Sequence, residues 1–118
     1  MQNGTYHAAY YGPFGQGFAE FALRSGGVVG RDVGDGEYLG SYKYNAVTDA
    51  YDFDIQMRVL FANMLVSDGR VHLPGEQVPI RFSVRVADLG RPLVIQMPIG
   101  SVTVTMRRTG DLPPAMAA

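Results

Sequence analysis

The residue types that most often carry catalysis or metal binding are sparse in this sequence. His7 and His72 are its two imidazoles, and neither has a second histidine at the short spacing that a metal site uses. Cysteine is absent, which excludes disulfides, thiolate metal sites and cysteine nucleophiles. No serine lies in a nucleophile-elbow context. We therefore expect no catalytic residue, no metal and no cofactor.

Three carboxylates, Asp49, Asp52 and Asp54, have a spacing that superficially matches an oxygen-rich cation loop. The glycine and the terminal glutamate of a calcium loop are missing. Asp52 and Asp54 instead alternate with apolar residues, so exposure on the outer face of a strand explains them. The glycine-rich run Gly12–Gly17 joins two predicted strands, whereas a phosphate-binding loop precedes a helix. We interpret that run as a hairpin turn.

The tyrosines are the residues best suited to binding a ligand. A barrel could present their hydroxyls and rings to an apolar molecule in a cavity. The alternative is a cross-strand aromatic ladder that only stabilises the sheet. An eight-stranded barrel can be filled by its own side chains or can hold one small ligand, so both interpretations stay open. The candidate cavity residues are Tyr6, Tyr10, Tyr38, Tyr42 and Tyr44.

Period-two alternation between apolar and polar residues dominates the chain and predicts short antiparallel strands. The clearest case is Tyr51–Val59, where one face is apolar and the other carries aspartate, glutamine and arginine. Leu60–Val66 could form a helical turn or extend that strand. The other predicted strands are Thr5–Tyr11, Gln16–Arg24, Val28–Asp32, Glu37–Tyr44, Ile80–Val86, Leu93–Met97 and Ser101–Arg107, the last three forming a meander. We predict an all-β antiparallel barrel of about eight strands.

Composition indicates one folded domain. The chain has 118 residues, of which 47% are hydrophobic and 18% charged, and its formal net charge is −1. We predict a barrel over residues 1–109 and a flexible tail over 110–118. The cations are scattered, which does not suit a nucleic-acid phosphate backbone. No apolar run approaches a membrane span, and Met1–Thr5 has no secretory character. We expect a cytoplasmic protein with no nucleic-acid or membrane partner.

Glycine and tyrosine motifs in the first half of the chain resemble those of a bacterial protein family. The motifs are Asn3-Gly4-Thr5-Tyr6, Gly15-Gln16-Gly17-Phe18-Ala19, Gly27-Val28-Val29-Gly30-Arg31-Asp32 and Tyr38-Leu39-Gly40-Ser41-Tyr42. Together they resemble the GrlR-like regulatory proteins over about residues 3–59. The resemblance implies a lipocalin-like antiparallel barrel, a homodimer and no enzymatic activity.

The same resemblance implies a function through protein contact, because the named member of the family represses transcription by binding an activator protein. That contact is attributed to four consecutive acidic residues in the loop after the tyrosine-glycine strand. Here the loop is less acidic, and the matching candidate residues are Asn45, Thr48, Asp49 and Asp52.

Two functions follow as expectations from the sequence. The first is a non-enzymatic regulator that binds a protein partner through this loop. The alternative is a carrier that holds a small apolar ligand in a tyrosine-lined cavity. An enzyme would require His7 or an acid to point inward beside a tyrosine, with a perturbed pKa. We do not expect an enzyme.

Overall fold

The computed structural model describes residues 1–34, 36–65, 67–98 and 100–113. It confirms the all-β prediction, because eight antiparallel strands form one sheet that nearly closes into a barrel. The strands of this sheet are β1 (Gly4–Gly12), β2 (Gly15–Arg24), β3 (Gly27–Asp32), β4 (Gly36–Asn45), β5 (Ala50–Val59), β8 (Gln77–Arg85), β9 (Leu93–Met97) and β10 (Gly100–Gly110). A separate two-stranded hairpin consists of β6 (Asn63–Met64) and β7 (Val71–His72).

The sheet order is β8-β5-β4-β3-β2-β1-β10-β9. Most neighbours are therefore consecutive along the chain, as tight glycine turns require. The predicted meander of the last three strands is wrong in one respect. Strand β9 pairs with β10, but β8 pairs with β5, so β8 and β9 are the two edges of the sheet. These edges lie next to each other, which brings the barrel close to closure.

The interior of the barrel follows the alternation of the sequence. In β5, Phe53, Ile55, Met57 and Val59 are buried while the residues between them face solvent. Because the side-chain period of a strand is two, a slip of one residue would bury the polar set, and the β4–β5 register is accordingly regular. The core collects such inward faces from the strands of the sheet.

The segment between β5 and β8 differs from the prediction. Leu60 and Phe61 form a bend rather than a helical turn, and the chain then enters the short strand β6; Val66 lies outside the described residues. The 3-10 turn that occurs among the described residues is at Val86–Asp88 instead, so the predicted strand Ile80–Val86 ends one residue early, at Arg85. Strand β10 continues to Gly110, and residues 114–118 of the predicted tail lie outside the described part.

The two ends of the barrel are built differently. At the end that we call the lower end, the Tyr6 hydroxyl donates to the Gln2 carbonyl at 2.6 Å and the Tyr42 hydroxyl to the Met1 carbonyl at 3.2 Å. The opposite, upper end carries the β1–β2, β3–β4 and β9–β10 turns and the long β5–β8 connection. The lower end is therefore tied to the first residues of the chain, whereas the upper end carries three turns and the long connection.

Candidate ligand-binding cavity

The barrel encloses a cavity of about 430 Å³ that opens partly to solvent. Ligand pockets in proteins usually have volumes of about 300–1,000 Å³, so this one is large enough for a small molecule. Aliphatic, aromatic and methionine side chains from all eight strands of the sheet line it. Examples from different strands are Leu23, Val28, Phe53, Ile95 and Val102.

One polar cluster interrupts this apolar lining near the upper end. Asp32, the last residue of β3, accepts hydrogen bonds at Oδ2 from the hydroxyls of Tyr10 and Tyr38, the latter at 2.8 Å. Its Oδ1 accepts the backbone N–H of Gly34 at 2.7 Å, which holds the β3–β4 turn. Asp32, Tyr10 and Tyr38 all line the cavity. We call these three residues the Asp32 cluster.

The pairing of neighbouring strands explains how the cluster forms. Tyr10 in β1 lies opposite Gly17 in β2, and Tyr38 in β4 lies opposite Gly30 in β3. A Cβ atom at position 17 would stand 2.7 Å from the Tyr10 hydroxyl oxygen, which is closer than real Cβ contacts allow. A glycine at that position leaves room for the Tyr10 ring to lie across β2 and reach Asp32 on β3.

Both tyrosines of the cluster are held in the neutral form. Burial raises the pKa of Tyr10 far above its ordinary value, and the hydrogen bond to Asp32 and the charge of that carboxylate act in the same direction. Burial also raises the pKa of Tyr38, with further contributions from Asp32 and Tyr10. The two hydroxyls therefore keep their protons over the physiological pH range.

Residues 60–76 cover part of the upper end, and we call them the cap segment. The Asn63 side-chain amide donates to the Gly34 carbonyl at 3.2 Å. Gly69 lies against the Phe14 ring, since a Cβ there would stand 2.7 Å from it. The Ser67 carbonyl lies against Gly100, where a Cβ atom would clash with it. The described part of the cap thus contacts all three upper turns.

A histidine and two carboxylates hold the cap segment together. His72 Nε2 lies 2.8 Å from Asp68 Oδ2, and its Nδ1 lies 3.4 Å from Glu76 Oε1. The Arg70 N–H also donates to Asp68 at 2.9 Å. Burial alone would raise the pKa of Asp68, but the Arg70 N–H and the His72 ring outweigh it and hold the pKa below its ordinary value. His72 is therefore a hydrogen-bonded structural residue of the cap.

Ser67 is the one buried side chain in the described residues whose polar atom has no hydrogen-bond partner. It belongs to the cap segment and lines the cavity. Buried polar groups are normally paired, so an unpaired hydroxyl is uncommon.

The structure separates the five tyrosines that the sequence suggests for a cavity. Tyr10 and Tyr38 line it. Tyr6 and Tyr42 are buried but bind main-chain carbonyls at the lower end. Tyr44, at the end of β4, is 51% exposed and donates to Asp49 at 2.7 Å.

The loop suggested for partner binding is the β4–β5 turn at the lower end, and its polar side chains bond one another. Asp52 accepts from Asn45 at 3.3 Å and from the Ser83 hydroxyl at 2.5 Å. The Thr48 hydroxyl donates to the Asn45 carbonyl at 3.5 Å, and Asp49 accepts from Tyr44. Val47 is 95% exposed at the tip. The loop therefore lies at the opposite end of the barrel from the Asp32 cluster.

The remaining candidates for chemistry lie on the outer surface. His7 Nδ1 lies 2.7 Å from Glu20 Oε1 on the outer face, and Asp54 pairs with Arg81 at 3.2 Å. Across the described residues, no group of three or more histidine and carboxylate side chains could hold a metal ion. Asp32 is thus the acid that points inward beside a tyrosine, whereas His7 does not.

Sequence reasoning missed Asp32 and Ser67 as site residues. A signal for Asp32 was present, because Val28, Gly30 and Asp32 share one face of β3 by alternation. A charged residue on the inward face of a strand is an exception that marks a functional candidate. Ser67 had no such signal, since the cap segment has no periodic pattern.

Comparison of the chain with protein-family models, with curated proteins and with solved structures found no match. Among the residues that are described, no helix has the length and apolar character needed to cross a bilayer.

Proposed function

We propose that this protein binds a small, mainly apolar molecule inside the barrel. The observation that carries the proposal is the 430 Å³ cavity with the Asp32 cluster in its wall. Binding pockets for small molecules combine apolar walls with a few convergent polar groups, which fix the orientation of the ligand. The polar groups here lie toward the upper end and the deeper wall is apolar, so an elongated ligand with one polar head fits best.

The cavity supports this function better than the loop supports a protein contact. The carboxylates of Asp49 and Asp52 are engaged by side chains of the same protein. At the loop tip, Val47 is the exposed apolar side chain. Regulation through a protein partner and the homodimer implied by the family resemblance therefore stay predictions.

The proposal contains no catalytic step. A tyrosine that stabilises a developing oxyanion must point its proton at the substrate. Both hydroxyls of the Asp32 cluster donate to Asp32 instead, and their raised pKa values make them poor acids. The cluster is arranged to present a polar surface rather than to transfer a proton.

The proposal is tested with N-phenyl-1-naphthylamine, a neutral dye whose fluorescence rises in an apolar site. Two neighbouring alanines of β1 provide a matched pair of variants. Ala8 is buried and lines the cavity, whereas Ala9 is exposed on the outer face. We expect saturable dye binding by the natural protein and by Ala9→Leu. Ala8→Leu adds volume inside the cavity and should weaken binding at least about tenfold.

Circular dichroism and thermal unfolding of both variants show whether the barrel is retained. Filling an existing cavity need not destabilise a protein, so we expect Ala8→Leu to fold. Dye binding that is unchanged in a folded Ala8→Leu variant, or that is absent from the natural protein, would overturn the proposal.

A further inference from the structure

The described lining of the cavity contains an acidic side chain but no basic one. Asp32 is the one carboxylic acid among the described lining residues, and no lysine, arginine or histidine lines the cavity with it. Asp32 also has no ion-pair partner among the described residues, although four arginine–carboxylate pairs occur among them. Asp32 is half-buried, and its carboxylate borders an apolar cavity without a counter-ion, although charge is costly to remove from water.

The hydrogen bonds of Asp32 leave capacity for one more donor. A carboxylate has about four lone-pair positions. The hydroxyls of Tyr10 and Tyr38 use Oδ2, and the Gly34 N–H uses Oδ1. One position on Oδ1 has no donor from the described residues.

Two aromatic side chains contact this carboxylate through their hydroxyls, and a third ring packs against one of them. The rings of Tyr10 and Tyr38 belong to the Asp32 cluster, and Phe21, which also lines the cavity, packs edge-on against Tyr38 with ring centroids 5.0 Å apart. Aromatic faces attract cations, most strongly where water is excluded. A negative charge among aromatic rings is the arrangement that suits an ammonium group.

We propose that the ligand is an apolar amine, with its protonated nitrogen at Asp32 and its hydrocarbon part in the barrel. This inference rests on the proposed function and specifies the ligand class. The ammonium supplies the counter-charge and the donor that Asp32 lacks. A fatty acid of the same length would place its carboxylate beside Asp32 with no cation in the described wall to offset the repulsion.

Three molecules of equal chain length carry a cationic, a neutral and an anionic head group: octylammonium, octanol and octanoate. Each compound is titrated against bound N-phenyl-1-naphthylamine at neutral pH and below its micelle concentration. Isothermal calorimetry then measures the affinity of each compound directly. A hydrogen bond to a charged group contributes about 1.5–3 kcal/mol, which corresponds to roughly tenfold or more in affinity. We therefore expect octylammonium to bind at least about tenfold more tightly than octanol, and octanoate to bind most weakly.

Asp32→Asn tests the residue itself, with Asp54→Asn as the control because Asp54 lies on the outer face. We expect Asp32→Asn to remove the preference for octylammonium over octanol while octanol binding stays within about threefold. Asp54→Asn should keep the preference. The comparison of the three ligands on the natural protein needs no variant. It therefore tests the preference for an amine even where Asp32→Asn does not fold.

The outcomes distinguish the two proposals. Equal binding of octanol and octylammonium, or tighter binding of octanoate, would overturn the amine assignment and leave the apolar cavity intact as a binding site. Failure of the natural protein to bind the dye would overturn the proposed function, and the amine assignment with it.

Discussion

At the scale of single residues, the Asp32 cluster couples ionisation to folding. The tyrosine hydroxyls can reach one carboxylate only because β1, β3 and β4 are in register, so their environment exists in the folded state alone. A group whose pKa differs between the folded and unfolded states makes stability depend on pH. Tyr10 and Tyr38 do so at alkaline pH.

We expect the free energy of unfolding to fall as the pH rises above 10. The pKa of Tyr10 and Tyr38 is raised in the folded protein, chiefly by burial, above the ordinary tyrosine value of 10. Above that pH the unfolded chain releases protons that the folded chain retains, and stability is therefore fully present below pH 10 and lost above it. Urea unfolding across this range measures the decline.

The variant Tyr38→Phe removes one of the two coupled groups and should show a shallower decline with pH. Tyr11→Phe is the control, because Tyr11 is exposed on β1. An equally steep decline in Tyr38→Phe and in the natural protein would contradict the assignment.

At the scale of elements, the cap segment depends on one hydrogen-bonded carboxylate. Asp68 contacts His72 and the Arg70 N–H, and its pKa is held below 3.8 in the folded state. The stabilisation is therefore present above pH 3.8 and lost as the pH falls through the lower, folded pKa. The cap should loosen under acid conditions before the sheet does.

Asp68→Asn should produce this loosening at neutral pH. We expect amide protection factors at Gly69 and Arg70 to fall severalfold, since both N–H groups are hydrogen-bonded within the cap. Those of β5 should stay the same. Asp111→Asn, at an exposed carboxylate of the lower end, serves as the control. Unchanged protection at Gly69 in Asp68→Asn would show that Asp68 does not hold the cap.

Alternation predicted the long strands and left the cap undetermined, for a physical reason. Tyr51–Val59 has four apolar-polar repeats, and each one supports the same register, so the structure contains β5 at Ala50–Val59. The two-residue strands β6 and β7 are too short to show any period. Their position depends on contacts with Phe14, Gly34 and Gly100, which are distant in sequence.

The same limit explains the partial prediction of the cavity. Alternation identifies which face of a strand is inward, but not the height of a residue along the barrel. Tyr6 and Tyr10 share a face of β1, yet Tyr6 bonds a main-chain carbonyl at the lower end and Tyr10 bonds Asp32 at the other. The height becomes known only when the register of several strands is fixed.

At the scale of the whole molecule, the cavity and the gap in the barrel are related. Strands β8 and β9 are adjacent, but in the described residues each is hydrogen-bonded to another strand on one side only. Side chains of both edges line the cavity, Ile80 and Phe82 from β8 and Ile95 and Met97 from β9. A ligand in the cavity would contact both edges and connect them through apolar contacts where no ladder of hydrogen bonds does so.

We therefore expect the β8–β9 seam to be the least protected part of the sheet, and ligand binding to protect it. Amides of β9 should exchange at least about tenfold faster than those of β4, which is hydrogen-bonded on both sides. A ligand at a hundred times its dissociation constant stabilises the folded state by about 2.7 kcal/mol. Because the ligand contacts both edges, it should slow amide exchange in β9 more than in β2. An equal slowing in both strands would show that the seam does not open independently of the rest of the barrel.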